Sequence, residues 1–84
     1  MSDWSIYLLR CRDGSLYTGV SNDVAERFKA HQQGCGAKYT RGKGPLELVY
    51  TRVVGDRSMA CKLEHRVKKM PRSEKERLIR GEIE

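Results

Sequence analysis

The dipeptide Asp13-Gly14 does most to limit what this chain can fold into. It stands between two short runs of strand-forming residues, Ser5 to Cys11 and Ser15 to Val20. Aspartate followed by glycine suits the positive backbone angles of a two-residue hairpin turn, so the two runs are predicted to return on each other as antiparallel strands. Tyr7 and Tyr17 then lie on neighbouring strands, where their phenols can reach the same part of the sheet.

After the hairpin, Ser21, Asn22 and Asp23 form a cluster of helix N-cap residues. Val24, Phe28 and His31 recur at helical spacing up to Gln33, with Gly34 as the C-cap. The stretch Gly34 to Pro45 has Gly or Pro at five of twelve positions, with Lys38, Arg41 and Lys43 between them, and reads as a basic loop. Glu47 to Val54 is rich enough in β-branched and aromatic residues to be a third strand. Gly55-Asp56-Arg57-Ser58 then caps a second helix, whose Met59, Leu63, Val67 and Met70 keep helical spacing up to Pro71. Ser73 with Glu76 three later is a capping box, predicting a short third helix that ends near Gly81. The expected fold is α/β of the α+β type: a three-stranded, mainly antiparallel sheet flanked by helices, in the order β-β-α-β-α-α. With no repeat and no linker-like stretch, residues 1–84 read as one domain with its core at about 4–80.

A domain of 84 residues buries only about 60 to 65% of the surface its unfolded chain exposes, so its core is small. Hydrophobic residues at 38% and charged residues at 33% exclude a disordered chain. No apolar run approaches the roughly 20 residues that span a bilayer, and Met1-Ser2-Asp3-Trp4 does not begin a signal peptide. The expected location is cytoplasmic. Cys11, Cys35 and Cys61 are odd in number and widely spaced, which argues against a disulfide framework and for small buried hydrophobes. The net charge of +6 is uneven, since Val24 to Lys43 holds five basic residues and one acidic. A basic face of this kind suits a phosphate polymer, and equally a solvated surface.

Phosphodiester hydrolysis needs a positioned nucleophile, a cation against the charge on the phosphoryl oxygens, and help for the leaving oxygen. Arg27 and His31, four apart, project from one face of the first helix, beside the apolar stripe of Val24 and Phe28. The planar guanidinium of Arg27 can grip two phosphate oxygens, and His31 can take or relay a proton near neutral pH. Glu64, four before Lys68, is either half of a surface pair or a single carboxylate for Mg²⁺. Taken singly, each of these residues also has a plain structural reading.

Together, their order and spacing resemble the GIY-YIG nuclease family. The first motif reads here as Ser5-Ile6-Tyr7 and the second as Tyr17-Thr18-Gly19. Arg27 falls ten residues after Tyr17 and His31 fourteen after it, where that family keeps its helix arginine and a His or Tyr, and Glu64 matches its metal-binding glutamate. The runs Gly36-Ala37-Lys38-Tyr39-Thr40-Arg41 and Ala60 to Lys68 look like those of small stand-alone bacterial members and of the catalytic subunits of structure-specific repair nucleases. Three departures stand out: Ser5 for the first glycine, Thr18 for an isoleucine, and no asparagine after Glu64.

The resemblance implies a metal-dependent endonuclease, structure- rather than sequence-specific, with a role in DNA repair or recombination. DNA or RNA would be its partner, Mg²⁺ or Mn²⁺ its cofactor, and a partner protein could supply targeting. By the same analogy Tyr17 would orient or deprotonate the attacking water, Arg27 would stabilise the phosphoryl group and Glu64 would hold the metal. Tyr7 would bind water or phosphate, and His31 would assist proton transfer. Gly19 would let backbone and substrate approach closely, while Lys38, Thr40, Arg41 and Lys43 would grip flanking backbone. Two other readings remain open. One is a nucleic-acid binding module of the same fold that has lost cleavage, and the other is a zinc domain built on the pairs His31/Cys35 and Cys61/His65.

Overall fold

The computed structural model describes residues 3–35 and 38–83, with Tyr39 described only in its backbone. Gly36 and Ala37 of the basic loop, and Met1, Ser2 and Glu84 at the ends, lie outside the described residues.

Strand β1 (Trp4–Arg10) lies between β2 (Leu16–Ser21) and β3 (Glu47–Gly55), antiparallel to both. A central strand with both faces covered cannot alternate apolar with polar residues, and Ser5 to Leu9 are accordingly five buried residues in a row. Alternate side chains feed two half-cores. Ile6 and Leu8 pack against Val67 of α2 (Arg57–Lys68) and Leu78 of α3 (Arg72–Ile79). Tyr7, Leu9 and Cys11 pack on the other face with Leu46, Tyr17, and Val24 and Phe28 of α1 (Val24–Gln32). The order β-β-α-β-α-α and the three-stranded antiparallel sheet match the sequence expectation.

The hairpin differs in detail. Cys11 N–H donates to the Ser15 carbonyl at 2.8 Å and Gly14 N–H to the Cys11 carbonyl at 2.9 Å. The loop therefore holds three residues rather than two, with Gly14 at φ 87, the left-handed position that closes such a loop. The first two helices start where their caps predict. Asp23 accepts from Glu26 N–H at 3.2 Å, and Asp56 accepts from Met59 N–H at 2.8 Å.

The third helix corrects its prediction. It begins at Arg72 after Pro71, with no side-chain cap, and Ser73 sits inside its first turn. Glu76 does not reach back to the backbone because Arg10 of β1 takes both its oxygens, at 2.8 and 2.9 Å. A bidentate, charge-assisted pair outcompetes a single bond to an amide.

Between α1 and β3, the basic loop includes a 3-10 turn over Lys38–Thr40. Gln32 clamps the far end of the loop, its side-chain amide donating to the Leu46 carbonyl at 3.0 Å and accepting from Leu46 N–H at 2.9 Å. The cysteines are all free, but only Cys11 is buried, whereas Cys35 is exposed and Cys61 half-buried. The expectation of three buried thiols is thus corrected for Cys35, which sits past the end of α1, and for Cys61, whose helix face looks onto a cleft.

Candidate active site

Antiparallel register places Tyr7 opposite Gly19 and Leu9 opposite Tyr17. Tyr7 and Tyr17 are therefore diagonal neighbours on one face, with ring centroids 6.4 Å apart. They border a cleft of about 400 Å³ that also takes Gly19 from β2, Arg27 from α1, and Arg57, Cys61 and Glu64 from α2. Four of the five residues read from sequence as catalytic line this cleft: Tyr7, Tyr17, Arg27 and Glu64.

The fifth, His31, lies behind it. Only 2% of its surface is exposed; Nε2 is 2.9 Å from the Tyr7 phenolic oxygen and Nδ1 is 2.9 Å from Thr40 Oγ1. Burial, and then the Arg27 guanidinium, push the imidazole below its ordinary pKa, so the neutral ring is favoured. Burial and the neighbouring Tyr17 push the Tyr7 phenol up to about 12, against the opposing pull of Arg27. Tyr7 is thus a protonated phenol at neutral pH, held in place by a neutral histidine. His31 therefore meets the cleft through its contact with Tyr7.

Gly19 also meets a steric demand within the protein. A Cβ there would lie 2.6 Å from Tyr7 Cζ and from its hydroxyl, and 3.1 Å from Tyr17 Cε2. The two tyrosine rings already make a close approach that demands glycine. Thr40 is corrected. Its 2% exposure and its bond to His31 put it in the support of the site, out of reach of a nucleic-acid backbone. Lys38 and Arg41 are exposed on the loop, and Lys43 is half-buried with Nζ 3.8 Å from Asp13 Oδ2. None of the three lines the cleft.

Arg57 and Trp4 are among the cleft residues that the sequence did not signal as part of a site. Arg57 reads as part of a helix start and Trp4 as a strand residue, yet the guanidinium carbon of Arg57 stands 5.4 Å from the Trp4 ring centroid at the cleft wall. Arg57 and Arg27 thus bring two cations from two helices to the space that holds one carboxylate, Glu64. Only the fold brings them together, and no spacing in the chain signals it.

Glu64 is also the partner of Lys68, at 3.4 Å, and keeps 22% of its side chain exposed. A lone carboxylate oxygen facing a water-accessible cleft fits Mg²⁺, which keeps several waters and takes phosphate oxygens from its substrate. Among the described residues no group of three or more His, Cys, Asp and Glu converges, so a caged metal has no ligand set there. The zinc reading loses His31 as well, because both of its ring nitrogens are engaged.

Residues 3–77 match the family model of the GIY-YIG catalytic domain, and the chain belongs to the GIY-YIG nuclease family. Its relatives are UPF0213 proteins of bacteria. It is 49% identical to that of Cronobacter sakazakii over 83 residues, covering 99% of this chain and 87% of the relative. The UPF0213 protein of Klebsiella pneumoniae is 52% identical over 79 residues, with 94% and 74% covered. Two solution NMR structures share the fold. The UPF0213 protein BH0048 from Bacillus halodurans is 45% identical with a TM-score of 0.59, covering 92% of this chain and 82% of that one. EF2693 from E. faecalis is 35% identical with a TM-score of 0.66, covering 96% and 86%. No helix among the described residues is long and apolar enough to cross a membrane.

Proposed function

We propose that the protein is an endonuclease that hydrolyses DNA phosphodiester bonds with Mg²⁺ or Mn²⁺ held at Glu64. The observation that carries this reading is the meeting of Tyr17, Arg27 and Glu64, from three different elements, on one cleft. The cation, when bound, offsets charge developing on the phosphoryl oxygens. Arg27 grips the same group with a planar pair of donors, and Arg57 adds a second positive charge from the opposite helix. Tyr17 orients the attacking water through its phenolic oxygen. Tyr7, protonated and fixed by His31, keeps the wall of the cleft polar and rigid. Arg27, Arg57, Lys38 and Arg41 are phosphate-binding groups, and phosphates carry no base identity, so substrate choice rests on DNA structure rather than sequence. That selectivity suits repair or recombination.

One observation favours a second reading, a nucleic-acid binding module without turnover. Lys68 lies 3.4 Å from Glu64, where it competes with a cation for the carboxylate, and no asparagine follows Glu64 in the chain. Nicking of supercoiled, flap and junction DNA with Mg²⁺ or Mn²⁺, run beside Glu64→Ala, separates the two. Cleavage by the wild type alone supports the enzyme. Binding by both proteins with neither cutting supports the module.

A further inference from the structure

The catalytic cleft takes one face of α2, through Arg57, Cys61 and Glu64. Another face of the same helix, with strand β3, lines a second hollow of about 400 Å³. Its walls include Val53, Met59 and Met70, and around them stand Arg52, Lys62 and Arg66. None of the residues lining it is acidic. Val53 and Met59 are 66% and 52% exposed, two of the three large exposed hydrophobics among the described residues. β3 is an edge strand of the sheet, so a backbone laid beside it can pair with it.

We propose that this groove binds an acidic protein segment, which lays one apolar side chain on Val53 and Met59 and sets its carboxylates against Arg52, Lys62 and Arg66. Charge decides against a second copy of this chain, because two such faces would oppose cation to cation. The lining decides against nucleic acid. Unpaired bases need aromatic stacking surfaces and polar partners for their edges, and the groove offers one aromatic ring, Tyr50, among mostly apolar walls. An apolar anchor ringed by carboxylates satisfies both the walls and the rim. Two methionines let the walls fit anchors of different shape.

The test uses the ¹⁵N-labelled full chain and three probes: short peptides in which Asp and Glu flank one Leu, Phe or Trp; the same peptides with Lys in place of the acids; and oligothymidylate. The acidic peptides should shift the amides of Arg52, Val53, Met59, Lys62 and Arg66, and the Lys peptides should not. Met59→Asp and Arg66→Glu, both at exposed positions and each checked by thermal melt, should weaken binding by about tenfold or more. Any of four outcomes overturns the proposal: no groove shift with any acidic peptide, shifts scattered over the whole surface, groove shifts with oligothymidylate instead, or groove shifts that follow protein concentration with no probe present.

Discussion

The phenolic oxygen of Tyr7 lies 2.9 Å from Nε2 of His31, and the two rings meet nearly edge to face at 61°. A buried imidazole in that setting stays neutral, and the acid sensitivity of the fold follows. The folded pKa of His31 lies below its ordinary 6.5, so the unfolded chain takes up a proton where the folded chain does not. Stability is full above 6.5 and falls as the pH drops from there toward the folded value. Urea midpoints at about pH 7 and about pH 5 should drop for the wild type and drop less for His31→Gln. Equal drops would refute the assignment.

Gly19→Ala places a methyl group 2.6 Å from the Tyr7 ring and hydroxyl. The Tyr7 ring has no free direction, since it is only 1% exposed and Tyr17 packs beside it. The substitution should cost about 1 to 3 kcal/mol by overpacking. Cleavage should fall more steeply than stability, because Tyr7 and Tyr17 both shift; a variant with wild-type nicking rates would show that the tyrosine placement does not matter.

Thr18 Oγ1 is a buried side-chain atom with no hydrogen-bond partner among the described residues, at 3% residue exposure. A buried hydroxyl without a protein acceptor or donor carries a desolvation cost. Thr18→Val keeps the shape and removes the polar atom, so it should stabilise by about 1 kcal/mol, or some 4 to 8 °C in melting temperature for a domain this small. A lower melting temperature for the variant would contradict the orphaned hydroxyl.

The Arg10–Glu76 pair ties the central strand to the last helix. Hydrogen bonding to Arg10 chiefly, and the charges of Arg10 and Arg72, hold the Glu76 carboxyl at about 2, below its ordinary 4.5. This contribution is complete above 4.5 and is lost as the pH falls toward 2, a window more acidic than that of His31. Glu76→Gln should cost about 1 to 2 kcal/mol at neutral pH, moderated by solvent because the pair is part-exposed, and should flatten the profile below about pH 4.5. Denaturant melts across that range give the answer.

Arg57→Ala tests whether the second cleft cation meets DNA. If Arg57 contacts one phosphate, affinity should fall on all sequences alike, and the slope of log affinity against log salt should lessen by about one. Filter binding over a salt series measures both, and an unchanged slope would place Arg57 outside the contact.

The fold was legible in the chain wherever local chemistry decides: the Asp23 and Asp56 caps, the hairpin between two strand-like runs, and the helical spacing of Leu63 and Val67. It was less legible where distant partners compete. Glu76 reads as a cap until Arg10, sixty-six residues away, claims it. Thr40 reads as a surface hydroxyl until the loop folds it under His31. For the cleft, the motif spacing pointed to four residues that line it, Tyr7, Tyr17, Arg27 and Glu64, whereas Arg57 and Trp4 depend on α2 crossing toward β2, and no spacing rule encodes that.

The alternation along β1 sends Tyr7 and Leu9 to the face that carries the cleft and Ile6 and Leu8 to the other face. Through Tyr7, one half of a small core is therefore joined to the wall of the cleft. Loss of function has two unequal routes in such a molecule. On the proposed nuclease reading, substituting Arg27 or Glu64, which reach solvent, should silence the site while the domain still folds; substituting Tyr7, which is buried, should undermine the domain itself. If the proposed roles hold, relatives that lose cleavage should lose the charged residues first, and a chain that keeps the tyrosines but lacks the arginine or the glutamate should keep the fold without the activity.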